Sequence, residues 1–160
     1  MMQARLYGDA LTNYIKAGNQ SSSPKLLEDL AHSEVDQIRL RVAENPRTPL
    51  HLLELLARDN NADVRIAVGT NPSTPVSLSY ILACDVDPNV RLGLADDINT
   101  PLELLDRLCN DPNPYVSHRA AQTKRIVLSQ PQPSKQKKFG IERYFKWTRK
   151  LLKNNELSYA

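Results

Sequence analysis

Cysteine and glycine are scarce in this chain, and each shortage argues against a class of protein. There are two cysteines and five glycines among 160 residues. Cys84 and Cys109 have no second pair at metal-ligand spacing, which argues against a zinc ribbon or a disulfide framework. No Gly-rich phosphate loop, nucleophile elbow, His-Glu-x-x-His motif or calcium loop is present. We therefore expect no enzyme activity, no cofactor, no metal and no small-molecule substrate.

Long apolar runs are missing as well. No stretch approaches the roughly 18 apolar residues that a membrane-spanning helix needs. The first twenty residues contain neither an apolar run of seven residues nor a small-residue cleavage site, so they do not resemble a secretory signal. The composition, 41% hydrophobic and 24% charged, is that of an ordinary soluble domain. We expect a cytoplasmic protein, peripheral to a membrane only if its tail binds lipid.

The formal net charge of +3 averages two segments of opposite sign. Residues 1–130 carry 13 Lys and Arg against 16 Asp and Glu, a balance of −3. Residues 131–160 carry 8 against 2, a balance of +6. This asymmetry indicates that the last thirty residues have a function of their own.

The same loop recurs every 26 residues: NPRTP occupies 45–49, NPSTP 71–75 and DINTP 97–101. The register extends to apolar columns, in which similar residues return at the same place in each copy. Three columns are Ala31, Ala57, Ala83 and Cys109; Ile38, Val64, Val90 and Val116; and Leu40, Ile66, Leu92 and His118. The sequence therefore predicts about four copies of a repeat over residues 23–128.

Each copy carries the signals of two short helices. A Thr-Pro pair opens the first helix, because the threonine side chain is expected to cap free backbone amides while proline suits the first helical position. A polar turn follows, and a shorter second helix ends where the Asn-Pro loop disfavours helical backbone. The capping residues are Thr48, Thr74 and Thr100, with Ser23 in the first copy, and the turn residues are Asp59, Asp85 and Asp111. This pattern predicts an all-α protein.

A repeat of this size cannot bury its apolar face alone, so the copies are expected to stack as an α-solenoid. We predict an N-terminal cap helix over residues 1–22. Its apolar residues on roughly one face are Leu6, Leu11, Tyr14 and Ile15. The second helix of the fourth copy is expected to run on through Arg119 to Leu128 and cover the other end of the stack.

The alternation of a TP…LL..LA.D helix with a VR.AVA.NP element resembles the leucine-rich repeat variant family, and more broadly the HEAT-like repeats, over about residues 23–123. The resemblance implies a right-handed solenoid, which in the variant family alternates α and 3₁₀ helices. It also implies protein-protein interaction without a shared enzyme activity. Some members carry an N-terminal cysteine cluster for an iron-sulfur centre. Here the first cysteine is Cys84, so we expect no such cluster.

One column holds an arginine in three successive copies and Ser117 in the fourth. Side chains spaced one repeat apart suit the phosphates of a nucleic-acid backbone. A structural ladder is the preferred interpretation, because turn aspartates lie shortly before Arg65 and Arg91, and forked arginine geometry suits internal bridges. The negative balance of residues 1–130 also disfavours nucleic acid. The predicted ladder residues are Arg39, Arg65, Arg91, Asp59 and Asp85.

After Leu128 the repeat stops. Residues 129–138, SQPQPSKQKK, contain no aliphatic residue and are predicted to be a flexible linker. Residues 139–153 read FGIERYFKWTRKLLK, in which apolar and basic side chains alternate with helical spacing. A basic amphipathic helix is therefore predicted in the tail, residues 139–160.

Four interpretations of the tail helix stay open. It inserts into a groove of a partner protein, docks on the solenoid as a cap, lies on an anionic membrane, or holds nucleic acid. Insertion into a groove is preferred, and membrane or nucleic-acid binding would involve residues 135–153. The predicted partner-binding residues of the tail are Arg143, Tyr144, Phe145, Lys146, Trp147, Arg149, Lys150 and Leu151.

The sequence as a whole predicts a non-enzymatic adaptor that binds a protein partner through the solenoid surface and the tail. On the repeats, the expected contact surface is formed by exposed first-helix positions. These include His51, Glu54, Tyr80, Glu103 and Asp106. The alternative function is a nucleic-acid or anionic-membrane binding protein that acts through the basic aromatic tail.

Overall fold

The computed structural model describes residues 2–130, with the side chains of residues 9–130. The chain divides into two units, Met1–Ser129 and Gln130–Ala160. The predicted tail helix, its partner-binding residues and nearly all of the predicted linker lie outside the described residues.

The described part of the chain is all-helical, with nine helices and no strand. Helices of the 26-residue repeat come in pairs, a first helix and a second helix. Both are α-helices, whereas the leucine-rich repeat variant would alternate α and 3₁₀. A helix α1, Met2–Gly18, precedes them. The first helices are α2 Pro24–Ala31, α4 Leu50–Leu56, α6 Val76–Leu82 and α8 Leu102–Leu108; the second helices are α3 Asp36–Glu44, α5 Ala62–Thr70, α7 Pro88–Asp96 and α9 Pro114–Ser129.

The second helices form the closely packed layer. Each contacts the next along the chain, and α1 contacts α3 in the same way. The first helices lie on the other side, where each packs on the second helices that precede and follow it and contacts its neighbouring first helices less. The long α9 ends at Ser129, so the extension that the sequence predicts for the last second helix is confirmed.

The core lies between the two layers and is filled by the repeat's own columns. First helices contribute buried leucines at two or three positions, and second helices contribute valine, isoleucine and leucine. The buried Leu, Ile and Val side chains are Leu27, Leu30, Leu52, Leu53, Leu56, Leu78, Leu82, Leu104, Leu105 and Leu108 from one layer and Ile38, Val42, Val64, Val68, Val90, Leu94 and Val116 from the other. Burial of a side chain of this size is worth about 1.5–3 kcal/mol, so the columns supply most of the driving force for folding.

One predicted core column lies at the border of the core instead. Leu40, Ile66 and Leu92 are half-buried, and His118 is exposed. Leu40, Ile66 and Leu92 pack against the core from the outer side of the second-helix layer. The column follows the same period as the buried ones, but its members lie two residues beyond Ile38, Val64 and Val90, and two residues turn a side chain by about 200° around a helix.

The threonine of the Thr-Pro loop bonds to the helix that precedes it, whereas the sequence predicts that it caps the helix that follows. In α4, α6 and α8 the proline is the N-cap: its carbonyl accepts from the helix, and no side chain caps these three helices. The threonine hydroxyl instead donates back to a carbonyl near the end of the preceding second helix, where backbone oxygens lack helical partners. The bonds are Thr48 Oγ1 to the Val42 carbonyl at 2.6 Å, Thr74 to Val68 at 2.6 Å and Thr100 to Leu94 at 2.8 Å. Only Ser23 caps as predicted, accepting from the Leu26 amide at 3.3 Å.

The N-terminal helix α1 is the second helix of a further half-repeat. Ser22 Oγ donates to the Lys16 carbonyl at 2.6 Å, in the position of Thr48 one repeat later. The Ser21 amide donates to Asn19 Oδ1, as the Arg47 amide does to Asn45. Of the four apolar residues that the sequence proposes for packing, Leu11 and Ile15 are exposed, Tyr14 lies under Arg41, and the side chain of Leu6 lies outside the described ones. Among the described side chains of α1 the buried one is Ala17.

Candidate interaction surfaces

The arginines that recur every 26 residues form three equivalent ion pairs. Each arginine reaches forward to the turn aspartate of the next repeat, 20 residues on, with two parallel N–H···O bonds. Nε–Oδ2 and Nη2–Oδ1 distances are 2.7 and 2.9 Å for Arg39–Asp59, 2.8 and 3.0 Å for Arg65–Asp85, and 2.7 and 3.0 Å for Arg91–Asp111. The five predicted ladder residues therefore do form ion pairs between repeats. Each arginine pairs with the aspartate of the next repeat rather than with the aspartates just before it, and the prediction did not include Asp111.

The remaining hydrogen-bonding groups of these pairs are also used. Nη1 of each arginine donates to a turn carbonyl of its own repeat, as Arg65 does to Asp59 at 2.7 Å. Each aspartate accepts from the amide two residues later, as Asp85 does from Asp87 at 2.9 Å. One side chain thus holds two turns at a fixed separation.

Burial and hydrogen bonding act in opposite directions on these carboxylates. Burial alone would raise the pKa of Asp59 and Asp85, but hydrogen bonds from the arginine and a backbone amide outweigh it, and the pKa of each lies below its ordinary value. For Asp111 the bond from Arg91 is the largest cause of the lowered pKa. The pKa of Arg39, Arg65 and Arg91 is raised, mainly by the same bonds. Both partners are therefore ionised near neutral pH.

The arginine column is not a free phosphate site. Side-chain exposure is 13–18% for the arginines and 5–9% for the aspartates. An open depression borders the first pair, beside His32, Glu34 and Arg58, but its Arg39 and Asp59 are already bound to each other. The geometry accounts for these residues as a joint between repeats.

A second set of joints uses asparagine and was missed by sequence reasoning. Asn45 Nδ2 donates to the carbonyls of Ala17 and Asn19 at 2.8 and 3.0 Å. One repeat later, Asn71 Nδ2 donates to Ala43 and Asn45 at 2.5 and 2.9 Å. The recurring Asn-Pro signal could have revealed the role, since a buried amide needs partners. The third copy breaks the pattern, because the Asp97 side chain has no N–H to donate. Its Oδ1 accepts from the Asn99 amide, as Asn45 and Asn71 accept from the amide two residues later, and also from the Asn99 side chain.

The outward sides of the first helices differ from one repeat to the next. On α6 and in the turn after it, the residues at the outward positions are Ser77, Tyr80, Ile81 and Cys84, none of them formally charged. On α2 and α8 the equivalent positions are mostly charged: Lys25, Glu28 and Asp29 in one, Glu103, Asp106 and Arg107 in the other. Helix α4 is intermediate, with His51, Glu54, Leu55 and Arg58.

Exposed apolar side chains recur at equivalent positions of α4 and α6, and α1 and α9 also carry exposed apolar side chains. Val76 and Ile81 are 51% and 57% exposed, and their equivalents one repeat earlier, Leu50 and Leu55, are 49% and 41% exposed. Tyr80 was expected to be exposed but is half-buried and packs against the core. We call Leu50, Leu55, Val76, Tyr80 and Ile81 the apolar patch. His51 lies exposed beside it on α4.

On its α8 side the apolar patch is bordered by polar contacts. Arg107 Nη2 donates to Cys84 Sγ at 3.0 Å, and Lys124 Nζ lies 2.5 Å from Asp106 Oδ1. Glu54 and Glu103 are exposed on either side of α6. The patch thus combines apolar side chains with charged ones, at its α8 side and at Glu54 on α4, and such a mixture is typical of protein-binding surfaces.

Comparison with known proteins finds no family model, no curated protein and no solved structure that matches the chain. Within residues 2–130, no helix combines the length and apolar character required to cross a membrane. Nor does that part of the chain gather three or more His, Cys, Asp or Glu side chains in a group suited to a metal ion.

Proposed function

We propose that residues 23–128 form a right-handed α-solenoid of the HEAT-like kind, in which both helices of each repeat are α-helices, and that the protein is a non-enzymatic adaptor in the cytoplasm. The observation that carries the proposal is the apolar patch. Its exposed side chains occupy equivalent positions on two consecutive first helices. At the position of Leu55 and Ile81 the helices on both sides carry charged residues, Asp29 and Arg107. Clustered apolar exposure of this kind usually marks a binding site, whereas single exposed residues do not.

The joints support a binding role because they preset the patch. Two consecutive first helices are each tied to a turn whose position is fixed by an arginine and an aspartate, Arg39 with Asp59 and Arg65 with Asp85. A surface held in this way loses little conformational freedom when a partner arrives. Covering the patch would remove apolar area from water at about 25 cal/mol per Å². A protein surface with apolar anchors is the partner that this arrangement suits.

The basic tail is proposed to supply a second contact. Its balance of +6 over residues 131–160 also favours the alternative function, attachment to nucleic acid or to an anionic membrane. Salt separates the two. Phosphate-driven binding weakens steeply as salt rises, whereas an apolar contact is much less sensitive.

The experiment is a nuclease-treated capture from native lysate, washed at low and at high salt, with bound proteins identified by mass spectrometry. Four chains are compared: the wild type, the Val76→Ser/Ile81→Ser variant, the Leu11→Ser/Ile15→Ser variant and a chain that stops after Leu128. The second double variant is the matched control, because it removes exposed apolar residues of similar size from α1. Circular dichroism checks that each variant is folded.

We expect proteins that the wild type retains at high salt to be lost with Val76→Ser/Ile81→Ser and kept with the α1 variant. Retention by the patch variant would show that the patch is not the site. If all captured material is lipid or nucleic acid and disappears with the tail, the alternative function is correct.

A further inference from the structure

The outer side of the second-helix layer offers a different surface from the apolar patch. Its floor is the half-buried column Leu40, Ile66 and Leu92, which runs from α3 through α5 to α7. Beside this column α5 and α7 carry small residues, Ala67 and Gly93. The result is an apolar strip that crosses the helices, which we call the second-helix strip.

A depression opens in the strip where α7 meets α5. It is lined by Ile66, Thr70, Gly93, Asp96 and Asp97. The helices approach closely here because Gly93 has no side chain: a Cβ at this position would lie 2.8 Å from Ile66 Cγ2. The floor of the depression is therefore apolar and its rim carries two carboxylates.

Charge around the strip is negative at its centre. Asp63 and Asp96 are exposed on opposite sides of α5 and α7, and Asp97 follows α7. The basic residues of these two helices, Arg65 and Arg91, are held in the joints by Asp85 and Asp111. No unpaired base of α5 or α7 is left to balance the three carboxylates.

Ala67 and Gly93 share a column with Arg41 and Arg119. These two described arginines are the basic residues of that column, and they lie at the two ends of the strip. Arg41 stacks over the Tyr14 ring at 5.4 Å and pairs with Glu44 at 2.7 Å. Arg119 lies 3.2 Å from Asp96, with both side chains at least half exposed, so water and salt weaken this pair. A competing cation from a partner can displace Arg119 at little cost.

We propose that the second-helix strip binds an extended segment of a partner protein in which basic and apolar side chains alternate with a spacing of about three residues. Packed helices lie about 8–10 Å apart, and a chain in the extended polyproline II conformation rises about 3.1 Å per residue with three residues per turn, so every third side chain faces the strip and meets the next repeat. A lysine or arginine fits the depression, since its aliphatic stem covers Ile66 and Gly93 while its charged end meets Asp96 and Asp97. This site is independent of the apolar patch.

The test is fluorescence anisotropy with the full chain and two labelled peptides of about twelve residues. In one, lysine recurs at every third position among leucine and serine; in the other, glutamate replaces lysine. The protein variants are Asp96→Asn/Asp97→Asn, which removes two charges from the strip, and Thr70→Arg, which places a cation in the depression. Glu54→Gln/Glu103→Gln on the first helices is the control, because it removes the same charge elsewhere. Val76→Ser/Ile81→Ser tests the apolar patch.

We expect the wild type to bind the lysine peptide and not the glutamate peptide. Both strip variants should weaken binding about tenfold or more, about 1.4 kcal/mol, whereas the control should change it less than about twofold. Circular dichroism shows whether the variants are folded, and the two strip variants act independently of each other.

Three results would overturn the inference: no saturable binding of the lysine peptide by the wild type, an equal loss in the control, or unchanged binding in both strip variants. A loss confined to Val76→Ser/Ile81→Ser would place the peptide on the apolar patch, which contradicts this inference and leaves the proposed function standing. Loss of lysate partners with the patch variant but normal peptide binding would show that the two surfaces act separately.

Discussion

The joints between repeats and the outward faces of the same repeats follow opposite rules. At the joints the same bond returns with nearly the same length, 2.7–2.8 Å from arginine Nε to aspartate Oδ2 in three successive pairs. On the outward faces one column reads Glu28, Glu54, Tyr80 and Asp106, so charge and size change at each step. The joints set where each face lies, and the faces set what chemistry is presented there.

This division teaches how such a chain separates stability from recognition. Each repeat contacts mainly its neighbours, so a change at a joint is felt as stability. A change on a face alters the surface without moving it. The predictions below test this separation, beginning with the substitution that should cost most.

A buried leucine and an exposed leucine of the first helices should differ strongly. Leu104 is fully buried. Its equivalent two repeats earlier is Leu52, and Leu50, two residues before Leu52, is half exposed. Leu104→Ala should lower the free energy of unfolding by about 2–5 kcal/mol, because it leaves a cavity. Leu50→Ala should cost much less. Urea denaturation followed by circular dichroism measures both, and equal costs would mean that burial does not separate core from face.

A joint carboxylate and a face carboxylate should differ in the same way. Asp85→Asn leaves Arg65 without its charged partner in a nearly buried place, and we expect a loss of about 3 kcal/mol. Glu54→Gln on the exposed side of α4 should stay within about 0.5 kcal/mol. Chemical denaturation is again the measurement. If Asp85→Asn behaves like Glu54→Gln, the pairs do not hold the turns.

The joints also predict how stability depends on pH. The pKa of Asp59, Asp85 and Asp111 is lowered from its ordinary value of 3.8. At a pH below the ordinary pKa, an aspartate of the unfolded chain is protonated while the same aspartate in the folded protein is still ionised. The unfolded state then binds more protons, so lowering the pH favours unfolding. The contribution of these carboxylates is fully present above the ordinary pKa and is lost as pH falls through the folded pKa. Urea midpoints measured from neutral pH downwards should therefore fall below about pH 4, and less steeply for Asp85→Asn.

The irregular joint offers a smaller effect of opposite sign. Asp97→Asn restores a donor at the place where Asn45 and Asn71 each bind two carbonyls of the preceding repeat. A net gain of about 1 kcal/mol is expected, the usual worth of an intramolecular hydrogen bond. Asn71→Asp is the reverse substitution and should destabilise. A thermal melt of both variants checks the pair, and a destabilising Asp97→Asn would show that the two joints are not equivalent.

The smallest effect on stability is expected on the apolar patch. Val76→Ser/Ile81→Ser should change the free energy of unfolding by no more than about 1 kcal/mol in total, since both side chains are about half exposed. The same variant should lose its high-salt protein partners. A large loss of stability would mean that Val76 and Ile81 belong to the core and not to the outward face.

Much of the helical part of the fold was accessible to local reasoning. The 26-residue loop signal marks where helices end, and the leucines of the first helices show the helical spacing of a buried side. Apolar spacing could also suggest which first-helix positions face outward. Apolar spacing could not show that the Tyr80 side chain packs against the core, because this packing depends on the distance between α6 and the neighbouring helix.

What the sequence by itself determined is the period, the all-helical class and the chemistry available at each column, because helix spacing and proline loops act over a few neighbouring residues. Only the tertiary structure decided the direction of the threonine bonds, the forward pairing of Arg39, Arg65 and Arg91, and the half-repeat at α1. A period shows which residues are equivalent, but it does not show which atom of the next repeat lies opposite. That depends on the distance and rotation between stacked helices, which close contacts such as Gly93 against Ile66 fix.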